Sequence, residues 1–315
     1  MQSLLPLTNK VISIAPMMGW TNPSLQKLIK VIAPNMIFYS QMYHVEAVIR
    51  RPDKLNYLSE NLIFQLGGSS PEKFLQAGRV LKNIGIQRIN LNIGCPSPKV
   101  QKGNFGACLM KEPNLVAECL SALKSYYNSN QLSVKCRLGV DHDDSEEFLH
   151  HFIDTISKET DIRTFIVHAR KAWLSGLNPK QNRDIPPLDY KRVYRLKEKH
   201  PKFHIGINGG INKISDITKH LKICDEVMIG RLVLNDLYKI HEIDAYYNQY
   251  NTSSRGSLLE NLKVYNKDTG RFLQSLYKSM PGCKEWRRKL PEIENLRQLL
   301  SLSQQNSLLA TQEIG

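Results

Sequence analysis

Eight short runs with strand character recur between residues 11 and 230, and they lie too far apart in the chain to pair as hairpins. They cover 11–16, 36–41, 62–67, 88–94, 132–138, 164–170, 204–208 and 226–230. Helix-patterned stretches fill most of the gaps, at 23–32, 71–84, 113–127, 145–157, 190–199 and 214–221. Strands that alternate with helices in this way pair in parallel. Eight such units fit a closed barrel better than an open, doubly wound sheet, so the expected fold is an α/β (β/α)8 TIM barrel. The second unit is the weakest, because only 44–50 offers a helix.

Past about residue 240 the strand pattern stops. Helix-like stretches at 243–250, 257–262, 271–278 and 294–301 predict a small all-α domain. The expected division is a catalytic barrel over 1–240 and a helical domain over 241–315, with the tail from Ser303 fraying. A chain of 315 residues with 41% hydrophobic content can bury a core for each.

Residues 1–10 lack a basic start followed by an apolar core, and no apolar run approaches membrane-spanning length. A soluble, cytoplasmic protein is expected. The six cysteines, Cys95, Cys108, Cys119, Cys136, Cys224 and Cys283, are scattered without the close pairs of a zinc site or a dense disulfide framework. Neither metal nor disulfides are expected.

In such barrels the chemistry sits at the C-terminal ends of the strands. Those ends carry Pro16-Met17-Met18, Gln65-Leu66-Gly67-Gly68, Asn92-Ile93-Gly94-Cys95, Lys135-Cys136-Arg137, His168-Ala169-Arg170, Asn208-Gly209-Gly210 and Gly230-Arg231. Cys95 follows an alternating strand and a glycine turn, and two prolines stiffen what comes next. A thiol with a reference pKa of about 8.5 could act there as a nucleophile when ionised or as a proton donor when neutral, while a lone cysteine can equally be a small buried hydrophobe.

Lys135 and Arg137 share a strand, and cations are costly to bury unless they meet anions. Lys135 could form a Schiff base or stay cationic against a reduced flavin and its oxygens; Arg137 favours the second. Glycines after the seventh and eighth strands suit phosphate, because backbone N–H groups can converge where no Cβ blocks the approach. His168 alone could be a satisfied barrel histidine, and Met17 and Met18 could be core filler or soft contacts to a flat ring.

The net charge of +14 favours a polyanionic partner. Residues 163–202 hold eleven Lys and Arg against Asp184, Asp189 and Glu198. A second cluster, Lys284-Glu285-Trp286-Arg287-Arg288-Lys289, interleaves an aromatic with cations, as surfaces that stack on bases do. A solvated helix face is the competing reading for either cluster.

With these residues assembled, the chain resembles the tRNA-dihydrouridine synthases. The resemblance runs from Ala15-Pro16-Met17-Met18 through Leu91-Asn92-Ile93-Gly94-Cys95-Pro96-Ser97 and Val134-Lys135-Cys136-Arg137 to Ile229-Gly230-Arg231. The stretch from His168 to Leu177, with Ile185-Pro186-Pro187-Leu188-Asp189-Tyr190, resembles the A-type bacterial subfamily, which modifies positions 20 and 20a of the D-loop.

The resemblance implies FMN-dependent reduction of the uridine C5–C6 bond, with NADPH (or NADH) as reductant and Cys95 as the acid that protonates C5. It implies FMN contacts from Pro16, Met17, Met18, Gln65, Lys135, His168, Asn208, Gly209, Gly210, Gly230 and Arg231, and uracil contacts from Asn92 and Arg137. By position and charge, Lys180, Arg183, Lys284, Arg287 and Arg288 are the candidates for tRNA phosphates. A monomer acting on the tRNA elbow is expected.

Two departures from the subfamily pattern stand out. Gly19 replaces a frequent acidic residue, and Gly282-Cys283-Lys284 replaces Gly-Ala-Arg. A dihydroorotate-type FMN barrel would share the phosphate site without needing the basic clusters, and a tRNA chaperone would not need the complete set of strand ends.

Overall fold

The computed structural model describes residues 10–57, 60–263 and 265–312. The chain forms two compact units: residues up to Gly19 with Ile37–Gly230, and Trp20–Met36 with the chain from Arg231 onward. The units thus part at Gly230 rather than at residue 240, and the helix Pro23–Ile32 groups with the C-terminal helices.

The first unit is a closed parallel barrel of eight strands: β1 Val11–Ile14, β2 Ile37–Tyr39, β3 Leu62–Gly67, β4 Ile89–Ile93, β5 Leu132–Arg137, β6 Thr164–His168, β7 His204–Asn208 and β8 Glu226–Ile229. Closure comes from Val11 opposite Glu226 and from Phe38 opposite Leu62. In the weak second unit, a two-residue strand, Tyr43–His44, extends the pairing along the end of β3 before the short helix Val45–Arg50.

Local chemistry sets where the outer helices begin. Ser70 accepts a hydrogen bond from Lys73 N–H ahead of Pro71–Asn83, Ser145 does so from Phe148 N–H ahead of Glu146–Thr160, and Asp189 from Arg192 N–H ahead of Tyr190–Lys199. Prolines open Pro71–Asn83 and Pro113–Leu123, where no N–H partner is lost. Alternation sets the strand faces. Ile89, Leu91 and Ile93 are buried on one face of β4, while Asn90 and Asn92 bond side chains of β3 and β5 on the other.

Inside the barrel, Ala15, Ile37, Tyr39, Ile63, Ile166 and Met228 form one apolar cluster. At the N-terminal ends of the strands, buried Glu226 accepts from Ser13 Oγ and lies 3.1 Å from His204 Nε2. That end is closed and structural, which leaves chemistry to the opposite end.

The second unit holds Pro23–Ile32, Leu237–Asn248, Arg255–Glu260, Lys267–Leu273, Cys283–Lys289 and Leu296–Gln312. His241 Nδ1 lies 2.7 Å from the carbonyl of Ile32, and Asn35 donates to Asp244 at 3.1 Å, which ties the first helix to the later ones. The helix expected from 243 begins at Leu237 because Asp236 caps it, accepting from Lys239 N–H at 3.1 Å. Residues 274–279 form turns, and the helix expected over 271–278 lies instead at Lys267–Leu273, capped by Asn266. Its internal Gly270 obscured the pattern, yet a Cβ there would collide with the Tyr265 hydroxyl.

The tail expected to fray from Ser303 is helical to Gln312. Two of its polar residues face inward while Gln304 and Gln305 are exposed: Ser303 is buried with its hydroxyl 2.6 Å from that of Tyr277, and Asn306 is buried too. No helix among the described residues is long and apolar enough to cross a membrane.

Candidate active site

Cys95 stands at the C-terminal end of β4, and three separate devices hold its peptide. Asn92 Oδ1 accepts from the N–H groups of Gly94 at 3.2 Å and Cys95 at 3.0 Å. The Cys95 carbonyl accepts from Ala107 N–H at 2.9 Å. That approach requires Gly106, which has φ +78° and whose added Cβ would sit 2.6 Å from the Cys95 oxygen. Gln101 then donates to the carbonyls of Pro96 at 2.8 Å and Leu174 at 2.7 Å, joining the cysteine turn to the loop after β6. Cys95 as a residue remains partly exposed. Neither the helix Pro98–Lys102 nor the turn Gly106–Lys111 was expected; Ser97 ahead of Pro98 and the pair Gly103 and Gly106 were the available signals.

Beside it lie two buried cations, Lys135 and Arg137, and the imidazole of His168. Lys135 donates to Asn208 Oδ1 at 3.2 Å, and Asn208 in turn donates to the carbonyl of Met228 at 2.8 Å. Neither Lys135 nor Arg137 joins an ion pair among the described residues. Burial, then the Arg137 guanidinium, pushes Lys135 down to about 8. Burial above all pushes Arg137 down to about 10. His168 is held well below the ordinary imidazole range by burial and by Arg137, Lys135, Arg170 and Arg183. Such mutually repelling groups are relieved by an anion.

Arg137, expected at the uracil edge, spends most of its guanidinium on backbone. Nε donates to Gly94 O at 3.0 Å, and Nη1 donates to Lys171 O at 3.0 Å and Asn182 O at 2.8 Å. It is 5% exposed. Its Nη2 makes no hydrogen bond among the described residues, so that edge is left for a ligand. Asn92 is similarly committed: its Oδ1 serves the cysteine turn and its Nδ2 donates to Gln65 Oε1 at 2.8 Å, which leaves one amide hydrogen.

At the end of β7 the glycines make room for neighbouring side chains, whereas the end of β8 is open. Gly209 and Gly210 have φ +118° and +70°; a Cβ on Gly209 would lie 2.9 Å from the His168 ring, and one on Gly210 would lie 2.6 Å from Leu188. A Cβ on Gly230 would point into open space. Tyr190, which sequence reasoning did not single out, donates from its hydroxyl to Gly209 O at 2.6 Å and fixes this turn. Two buried cations with no ion pair among the described residues, and the open space beside Gly230, fit an anionic, phosphate-bearing cofactor such as FMN.

The remaining candidates are placed as follows. Gln65 is fully buried at the end of β3. Pro16 and Met17 are partly exposed after β1, and Met18 is 62% exposed. Gly19 adopts φ +75°, where glycine escapes the strain of a side chain. Lys180 and Arg183 are exposed around the turn Gln181–Arg183. Arg231 is exposed and begins the second unit.

In that unit Lys284 and Arg287 are exposed, whereas Arg288 is bound through two hydrogen bonds, 3.0 and 2.7 Å, to Glu285. Trp286 is not a stacking surface. It is fully buried, packs on Tyr277 and donates to Leu273 O at 2.9 Å, because residues 286 and 290 share the inward face of their helix.

A family model described as dihydrouridine synthase (Dus) matches residues 13–312. The chain is 40% identical over 300 residues to the tRNA-dihydrouridine(20/20a) synthase of Shewanella oneidensis, covering 90% of this chain and 89% of the relative. It is 38% identical over 302 residues to the tRNA-dihydrouridine(20/20a) synthase of Escherichia coli K12, covering 89% and 85%. Among solved structures it is similar in fold to a morphinone reductase, with a TM-score of 0.53 at 9% identity over 78% of this chain and 87% of that one.

Proposed function

This chain belongs to the dihydrouridine synthase family, and on that premise we propose that it reduces uridine to 5,6-dihydrouridine in the tRNA D-loop, at positions 20 and 20a. The observation that carries the reading is the placement of one partly exposed cysteine, Cys95, at the same barrel end as the buried cations Lys135 and Arg137 and the imidazole of His168. Gln65, Lys135, His168, Asn208, Gly209, Gly210 and Gly230 would hold FMN, with Pro16, Met17, Met18 and Arg231 as further contacts. When bound, FMN would supply the hydride chemistry for C6 of the uracil, with NADPH as the source of reducing equivalents.

The chain's own residues do the rest. Lys135 and the N–H groups of the Gly209–Gly210 turn neutralise the anionic cofactor. The remaining Asn92 amide hydrogen and Arg137 Nη2 orient the uracil carbonyls, since both are held from behind by the backbone and side chains already described. Cys95 gives its thiol proton to C5 on the opposite face and recovers a proton from solvent, to which it is open.

A base stacked in folded RNA has to be extruded at a cost of a few kcal/mol, which phosphate contacts elsewhere offset. Lys180, Arg183, Lys284 and Arg287 are exposed and join no ion pair among the described residues, which suits that task, and Arg288 can serve it only by leaving Glu285. Removing Lys284 and Arg287 is expected to lower the log–log salt slope of tRNA binding by about 0.7 to 0.9 for each phosphate no longer neutralised, whereas Arg288→Ala lowers it less. Filter binding across a salt series reads this directly.

The test of the reading compares turnover on unmodified tRNA with turnover on free uridine and orotate. Turnover confined to tRNA is expected; efficient reduction of a free pyrimidine would replace it with a small-molecule reductase.

A further inference from the structure

Four side chains on three adjacent strands form a single hydrogen-bonded file that ends at the Cys95 peptide. The N–H groups of Gly94 and Cys95 can only donate, so Asn92 must present Oδ1 to them and turn Nδ2 toward Gln65 Oε1, 2.8 Å away. Gln65 Nε2 must then donate in its turn, and it does so to Asn90 Oδ1 at 2.8 Å. Asn90 Nδ2 donates to Ser133 Oγ at 2.9 Å, and the Ser133 hydroxyl reaches the Ile89 carbonyl at 3.3 Å. Backbone donors at one end and a backbone acceptor at the other leave one direction for the whole file. Gln65 and Asn90 are fully buried and Ser133 nearly so, which denies water the chance to replace a missing partner.

We propose that Asn90 is a positioning residue for Cys95: it sets the amide direction of Gln65, through Gln65 that of Asn92, and thereby the orientation of the peptide that carries the thiol. The inference rests on Cys95 being the proton donor. Asn90 lies two residues before Asn92 on the same strand face; it does not bond the thiol, and of the groups assigned to the cofactor it bonds only Gln65, which is why the rate is read at saturating flavin.

The test pairs two nearly isosteric replacements at saturating flavin. Asn90→Leu removes the acceptor that Gln65 needs, whereas Asn90→Asp, kept neutral by burial, offers Gln65 the same acceptor and Ser133 the same donor. In single turnovers of reduced enzyme with tRNA, Asn90→Leu is expected to be slower by about tenfold with tRNA affinity unchanged, and Asn90→Asp to stay close to wild type. The solvent deuterium isotope effect should grow in the leucine variant, because proton transfer becomes the slower event.

A measurement free of flavin and tRNA accompanies these: alkylation of Cys95 by iodoacetamide should change by about threefold in Asn90→Leu and stay near wild type in Asn90→Asp. Ser133→Ala, which cuts only the far end of the file, should slow the same step several-fold and decides the matter if Asn90→Leu does not fold. Equal behaviour of the two Asn90 variants, an unchanged isotope effect, or Ser133→Ala at the wild-type rate would overturn the proposal. Wild-type product formation by Cys95→Ala would instead overturn the reading of the site on which it rests.

Discussion

Cys95→Ala is expected to reduce dihydrouridine formation by about 10² to 10⁴-fold, the usual contribution of a positioned general acid, while flavin loading and tRNA affinity stay close to wild type. Separation of the effects follows from the structure. The peptide of residue 95 is held by Asn92, Ala107 and the approach that Gly106 allows, none of which involves the thiol. Removing the sulfur therefore leaves the turn in place and takes away only the proton donor. Cys95→Ser should also fail, because a serine hydroxyl is a far weaker acid than a thiol. Quenched-flow single turnovers, with dihydrouridine counted by mass spectrometry, measure the loss. A variant that forms product at the wild-type rate would remove Cys95 from the chemistry.

The second large effect concerns Lys135. Its ammonium is the buried cation nearest to neutrality, pushed down to about 8 by burial and by Arg137. Below that pH it is charged and attracts an anionic cofactor; above it the free protein loses the charge, and recovering the proton on binding costs affinity. FMN affinity is therefore expected to fall as pH rises through 8, approaching tenfold per pH unit until the pKa of the bound state is reached. Lys135→Met keeps the length of the side chain and removes the charge. It should weaken FMN by about 10 to 100-fold, as expected for one charge-assisted hydrogen bond of about 1.5 to 3 kcal/mol, and should flatten the pH dependence. Flavin fluorescence titrations between about pH 6.5 and 9.5 read both effects. An unaltered slope in Lys135→Met would assign the pH dependence to another group.

The barrel was legible because its strands carry their own signals. Val11 to Ile14, Leu62 to Gly67 and Glu226 to Ile229 are apolar or alternating runs separated by helix-length stretches, and only parallel pairing accommodates that spacing. The candidate site was legible for the same reason: a C-terminal strand end is a predictable place, so Cys95, Lys135, His168 and Asn208 group together from the chain alone. What the spacing did not carry is which atoms each side chain spends on its neighbours. Arg137 looked like a ligand-facing cation and proves to hold three backbone carbonyls. Asn90 went unnoticed although it shares a face with Asn92, because its part depends on side chains of β3 and β5 that are distant in sequence.

The C-terminal unit was harder, and the reason is the ambiguity of polar helices. Asp236 and Asn266 are ordinary polar residues until a following helix shows them to be caps. Ser303 and Asn306 resemble a solvated tail in composition, yet both are buried. Trp286 among cations suggested stacking on bases, whereas its spacing from Leu290 was the better guide: both face the interior. In short helices a single inward aromatic outweighs the charges around it, since burying its ring contributes more than solvated pairs such as Glu285 with Arg288.

Reduction of uridine within tRNA is tested most simply by position. Purified protein is incubated with FMN, NADPH and unmodified tRNA, and dihydrouridine is mapped nucleotide by nucleotide by mass spectrometry. Product at position 20 or 20a, dependent on NADPH, is the expected result. NADPH oxidation with a bound yellow flavin but no dihydrouridine in the tRNA would rule out uridine in this RNA as the substrate.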